Sequence, residues 1–234
     1  MTESSAVASP VPTDRRPVTP TPIYWLIRWI LNVLILILVR NHIHIEGREN
    51  VPRKGGLLVI SNHIASGDPP LLGARFPRPL HFMAKIEWFK NPILGFIARN
   101  FQCFPVVRHT ADRGALRHTL TLLERGAAVC IYPEGTRAED ARIHEVEAGV
   151  GFVARRSAVP ILPVAVWGTE KVLPAKGVHW PKAADCHLIY GKPFQLPRPD
   201  MDNQEAATYM MSKVAELLPS AYRGVFEFEG AKSA

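Results

Sequence analysis

The chain's 234 residues, 47% of them apolar and 21% charged, suffice for one full-sized domain with a short appendage and leave no room for two independent catalytic domains. A formal net charge of +7 calls for an anionic partner, whether nucleic acid, a phosphorylated substrate or an acidic membrane surface, and a mean hydropathy near zero is high for an ordinary soluble protein. Cys103, Cys130 and Cys186 are odd in number, far apart and without a C-x-x-C pair, which excludes a disulfide framework and reads as reduced thiols facing the cytoplasm.

Residues 1–22 are rich in Pro, Ser and Thr and show no apolar period, so they read as a disordered tail. The run "IYWLIRWILNVLILILV" that follows, within a helix expected over 23–40, is about 26 Å long as a helix, slightly short of the ~30 Å hydrocarbon core. Arg28 and Asn32 share one helical face, and an arginine at mid-bilayer costs about 2.5–3.5 kcal/mol. Three placements are open: a helix lying in the membrane interface with Trp25 and Trp29 at headgroup depth, a strained span, or a helix buried in protein. No small-residue cleavage site follows, which argues against a signal peptide.

From about residue 43, short apolar runs alternate with helical periods. Strands are expected at "GLLVI" (56–60), "LHFMA" (80–84), "CFPVV" (103–107), "AAVCIY" (127–132), "ILPVAV" (161–166) and "HLIYG" (187–191). A helix is expected over 110–125, where Leu116, Leu120 and Leu123 recur before Gly126, and another over 202–218 with Met210, Val214, Leu217 and Leu218 on one face. The alternation predicts an α/β domain over 41–222 with a mostly parallel central sheet flanked by helices, and a tail over 223–234.

"SNHIASGDPP", residues 61–70, follows the first apolar run at what should be the carboxyl end of a strand, where open α/β sheets bind ligands. On a continuous helix His63 and Asp68 would point about 140° apart, but Gly67 permits a bend and Pro69 biases Asp68 away from helical geometry. A bent loop would return the carboxylate to one imidazole nitrogen and leave the other as a general base. Such a pair has no nucleophile of its own and suits a hydroxyl that arrives on the substrate. The plainer reading makes Asp68 a helix N-cap ahead of a first-turn proline. A second strand end opens into Pro133, Glu134, Gly135, Thr136 and Arg137, whose guanidinium suits a phosphate, and a third places Arg108 at the same edge.

In sequence order, "NHIASGD" (62–68), "FPVVR" (104–108), "PEGTR" (133–137) and "VPILPVAV" (159–166) resemble the four motifs of the lysophospholipid acyltransferase family, of the 1-acylglycerol-3-phosphate acyltransferase type. The resemblance runs over about 45–195 and implies a single glycerol-3-phosphate acyltransferase-like domain preceded by a membrane-associating helix. It also implies that His63 is the catalytic base and Asp68 its orienting carboxylate. Arg108, Glu134, Gly135, Thr136 and Arg137 would hold the glycerol phosphate, and the Pro160–Pro163 block would shape an acyl pocket. The implied reaction moves an acyl group from acyl-CoA or acyl carrier protein to a lysophospholipid hydroxyl, giving phosphatidic acid in phospholipid biosynthesis, with no metal and no cofactor. The implied partners are a membrane lipid acceptor and the cytoplasmic face of the cell membrane, to which the protein would be peripheral or monotopic.

The chain departs from the family pattern twice. Ala65 stands where a serine is common, with Ser66 beside it, and Val146 and Glu147 fall where a phenylalanine and a lysine are common. An acidic residue beside a phosphate site opposes a dianion, which keeps another lysolipid acceptor, or a degenerate protein that only binds lipid, in view.

Other classes fare worse on residues alone. A serine hydrolase using Ser66 lacks a G-x-S-x-G elbow. A metal site from His63, Asp68 and His42 or His44 matches no common ligand spacing. Scattered basic residues without interleaved aromatics argue against nucleic acid. His81, His109, His118, His144, His179 and His187 read as surface or turn histidines, and Lys85 and Glu87 as a solvated pair.

Overall fold

The computed structural model describes residues 19–39, 42–107, 112–172 and 184–227. Among these, seven strands form one sheet: β1 (Ile43–Glu46), β2 (Leu57–Ser61), β3 (Leu80–Lys85), β4 (Cys103–Val106), β5 (Ala128–Ile131), β6 (Ile161–Trp167) and β7 (Cys186–Tyr190). Their spatial order is β1-β7-β6-β2-β5-β3-β4, and every neighbouring pair is parallel except β6 with β7. The expected mostly parallel sheet is therefore present, with one antiparallel junction that the apolar runs did not disclose. β1 was not singled out either, because "IHIE" alternates half-buried isoleucines with exposed His44 and Glu46 at the sheet edge.

The uninterrupted apolar character of the central strands follows from two covered faces. In β2, Leu57 and Val59 enter one core with Cys130 of β5, Val164 of β6 and Leu188 of β7, while Leu58 and Ile60 enter the other. The first core is closed by α1 (Pro22–Val39), α2 (Asp68–Arg75) and Phe101, the residue following α4 (Pro92–Asn100). α3 (Ile86–Lys90) leads from β3 into α4. The second is closed by α5 (Arg113–Glu124), α6 (Gly149–Ser157) and α8 (Asn203–Ala215), with the short α7 (Thr169–Val172) following β6.

The helix boundaries have local causes. Asp112 accepts from the backbone N–H groups of Gly114 and Ala115, which starts α5. Asp202 and Glu205 form a reciprocal capping box at α8, whose Met210 and Val214 are fully buried as expected. Gly126 sits at φ +82° just past α5, where a residue with a Cβ would be strained. Phe226, beyond the expected domain limit, packs against the second core.

α1 sets its polar residues against protein. Arg28 Nε donates to Ala74 O at 3.2 Å and its Nη2 to Phe76 O, while Asn32 Nδ2 donates to Ala74 O at 3.3 Å. These carbonyls end α2, so a cation caps that helix where its dipole is negative. Tyr24 stacks on Phe101 at 5.8 Å, fixing the start of α1 near α4. Among the described residues no helix is long and apolar enough to cross a membrane.

Candidate active site

β2 and β5 lie side by side and parallel, so their carboxyl ends, and the loops that follow, meet at one edge of the sheet. From β2 the chain runs through Asn62 and His63 into α2. From β5 it runs through Tyr132 into the 133–137 loop. The two loops are sewn together through both backbone polar groups of His63: its N–H donates to Glu134 Oε1 at 2.9 Å, and its carbonyl accepts from Ala138 N–H at 2.9 Å.

The bend expected between His63 and Asp68 is present. Asp68 is the first residue of α2, and its carboxylate turns back instead of capping the helix. Oδ2 lies 2.9 Å from His63 Nδ1 and accepts from the N–H groups of Ile64 and Ala65 at 2.8 Å each. Oδ1 accepts from Thr169 Oγ1. An ionised carboxylate can only accept, so Nδ1 carries the proton and Nε2 keeps its lone pair. Asp68 is 0% exposed and His63 5%, and the imidazole stacks on Tyr132 at 4.3 Å. Four donors are what such a buried anion requires. Asn62 completes the anchorage: its side chain donates to Val166 O at 2.7 Å and accepts from Val166 N–H at 2.9 Å, locking the loop to β6.

Glu134, expected at the phosphate, has both oxygens occupied by main chain, the second by His144 N–H at 3.3 Å. Burial pushes its carboxyl up to about 7, against the lowering by those two N–H groups and by His144. Gly135 adopts φ +65°, and a Cβ there would lie 2.4 Å from Glu147 Oε1. Thr136 is exposed and lines a recess of about 320 Å³ with Arg137, Asp140 and His144. Arg137 Nη1 donates to Ser66 Oγ, which brings the arginine onto the His63 loop across 71 residues of sequence. Ser66 is thus engaged by Arg137 and not by the imidazole, and the buried position beside it is filled by Ala65. Arg108 lies outside the described residues, as do His109 and His179; β4 ends at Val106.

Beneath the loops lies a cavity of about 460 Å³, walled by Met83, Val106, Leu116, Ile131 and Val150, with Tyr132, Gly135 and Glu147 at its site end. Glu147 thus lines this cavity, with its carboxylate beside Gly135. Pro163 lies within β6 opposite Ile60, accepts from Gly191 N–H at 2.9 Å and takes no part in this lining.

Sequence reading missed three contributors. Thr169 is 101 residues from Asp68 and belongs to no quoted block; its one signal was a threonine just past the carboxyl end of a strand. His144 is exposed, as expected of a surface residue, but its main-chain N–H donates to Glu134. Tyr132, at the end of the apolar run 127–132, stacks on the imidazole, a contact that nothing in that run signals. His81 is buried, with Nδ1 3.2 Å from Ala128 O, rather than at the surface. His42 and His44 pair with Asp185 at the β1/β7 edge, and among the described residues no three potential ligands converge to hold a metal.

Against known proteins, residues 42–167 match the acyltransferase family. The chain is 30% identical over 169 residues to the 1-acyl-sn-glycerol-3-phosphate acyltransferase of Bacillus subtilis, covering 71% of this chain and 81% of that protein. It is likewise 30% identical over 177 residues to a chloroplastic 1-acyl-sn-glycerol-3-phosphate acyltransferase of Arabidopsis thaliana, covering 74% of this chain and 48% of that one. The crystal structure of the 1-acyl-sn-glycerophosphate acyltransferase of Thermotoga maritima superposes with a TM-score of 0.70 at 25% identity, covering 82% of this chain and 76% of that one.

Proposed function

Because the chain belongs to the acyltransferase family, we propose that it transfers a fatty acyl group from acyl-CoA or acyl carrier protein to the free hydroxyl of 1-acylglycerol-3-phosphate, giving phosphatidic acid. The observation that carries this reading is the buried His63–Asp68 pair at 2.9 Å, with no nucleophilic side chain hydrogen-bonded to the imidazole among the described residues. His63 Nε2 takes the proton of the acceptor hydroxyl as its oxygen attacks the thioester carbonyl. Asp68 holds Nδ1–H and stabilises the imidazolium. The tetrahedral oxyanion collapses, the C–S bond breaks, and the imidazolium returns the proton to the departing thiolate. The acyl donor is a substrate, and the scheme requires no cofactor or metal.

Arg137, poised on the His63 loop, is suited to the acceptor phosphate, with Thr136 beside it. Glu134 acts by holding the loop through two N–H groups. The apolar walls of the 460 Å³ cavity are suited to an acyl chain.

The same reading places the protein on the cytoplasmic face of the cell membrane as a peripheral or monotopic enzyme. Two packed elements carry nearly all the large apolar side chains exposed among the described residues: Trp25, Leu26, Trp29 and Ile37 on α1, and Ile93 and Phe96 on α4, with Trp88 on the adjoining α3. Such a concentration marks an apolar contact surface. A helix lying in the interface accounts for α1, whose arginine points into protein, and the net charge of +7 favours an anionic leaflet.

The test is acyl transfer from labelled acyl-CoA by purified protein in liposomes, with lysophosphatidic acid and lysophosphatidylcholine as competing acceptors. Phosphatidic acid should be the main product. Preference for the choline lipid would assign Glu147 the acceptor's cation and contradict the phosphatidate reading.

A further inference from the structure

The Asp68 carboxylate is held from two directions. Its Oδ2 meets three donors of its own loop, but its Oδ1 meets one that comes from elsewhere in the chain, the hydroxyl of Thr169. Thr169 is 3% exposed and opens α7 directly after β6. Gly168 before it adopts φ +88°, and a Cβ there would lie 1.9 Å from Asp185 O, so the turn that aims the hydroxyl depends on glycine at that position. Asn62 ties the same strand to the base of the His63 loop through both polar atoms of Val166. β6 thus grips the catalytic loop at its first residue, and Thr169, just beyond the strand's end, grips it at its carboxylate.

We propose that Thr169 is a positioning residue of the acyl-transfer site: by donating to Asp68 Oδ1 it fixes the rotation of the carboxylate, and with it the tautomer and orientation of His63. This rests on the acyl-transfer reading above. The physical reason is geometric. Three donors converge on one oxygen, and they constrain where that oxygen lies but only weakly constrain rotation of the carboxylate about it. The fourth donor removes that freedom. It also keeps a fully buried oxygen from going unpaired, which would otherwise favour a rotated carboxylate that no longer presents an acceptor to Nδ1–H. Partners that orient a catalytic imidazole from behind typically change the rate more than substrate binding.

The experiment compares wild type, Thr169→Val and Thr169→Ser. Valine keeps the shape and removes the donor; serine keeps the donor. Steady-state acyl transfer is measured alongside the proton NMR resonance of His63 Nδ1–H, which Asp68 should hold far downfield and which His63→Ala assigns. Thr169→Val should lower kcat about 10- to 100-fold with KM for both substrates changed less than about twofold. Thr169→Ser should recover kcat to within about threefold, and the resonance should shift or broaden in the valine variant alone. An unchanged kcat in Thr169→Val, or a serine variant as slow as the valine one, overturns the proposal. A loss confined to KM overturns it as well. If wild type transfers to no acceptor while the resonance still moves only in Thr169→Val, the acyl-transfer reading fails and the positioning role stands.

Discussion

Both oxygens of Glu134 are occupied by backbone N–H groups, one on the residue that carries the base and one on His144. Its burial has a consequence for stability. A free glutamate titrates near 4.3, whereas burial pushes Glu134 up to about 7. Between those values the folded chain holds a proton that the unfolded chain has released. This residue's contribution to stability therefore declines as pH rises through that window and returns toward acid, by an amount on the order of 1–3 kcal/mol. Glu134→Gln keeps an acceptor for His63 N–H and abolishes the titration. Urea unfolding at pH 5 and pH 7.5 should show wild type losing more stability than the variant over that interval. Equal losses would contradict this account. At this scale the sequence was partly legible: His63, Asp68 and Arg137 sit in loops after apolar strands, where chemistry concentrates. Thr169 was not, because its partner is 101 residues away and only the sheet brings them together.

The helices divide by what covers them. α5, α6 and α8 turn their apolar faces into the second core; the periods of α5 and α8 were readable because one face is buried and the other wet, whereas the nine-residue α6 is too short to show one and was not expected. α1 and α4 break this rule. Ile93 is 71% exposed, Ile37 65% and Trp29 63%, which no soluble packing scheme explains. The composition of α1 disclosed its apolar character, but only the fold shows that α4 shares the surface, because Tyr24 of α1 stacks on Phe101 just past the end of α4. If both helices enter the interface, Trp29→Glu and Phe96→Glu should each weaken binding to anionic liposomes about tenfold or more, the effect of keeping one large aromatic side chain in water. Phe96→Glu binding as well as wild type would leave α1 as the sole anchor and contradict the two-helix surface.

At the scale of the whole molecule, strand order explains why residues from separate blocks lie together. β2 sits between β5 and β6, so the loop bearing His63 touches the 133–137 loop on one side and Thr169 on the other. The parallel core was legible because its strands are apolar on both faces. The antiparallel junction of β6 with β7 was not, because "HLIYG" looks the same in either direction, and strand direction is decided by the connection and not by composition. The 460 Å³ cavity is likewise made by side chains from β3, β4, β5, α5 and α6, which no single stretch discloses. Acyl transfer as proposed depends on His63, held by Asp68, activating the acceptor hydroxyl. The measurement that tests it most directly is the rate of phosphatidic acid formation from acyl-CoA and lysophosphatidic acid by wild type and by His63→Ala, each first shown to be folded. Wild type should turn over, and the variant should lose at least about 100-fold. A His63→Ala protein that still turns over near the wild-type rate would contradict that role.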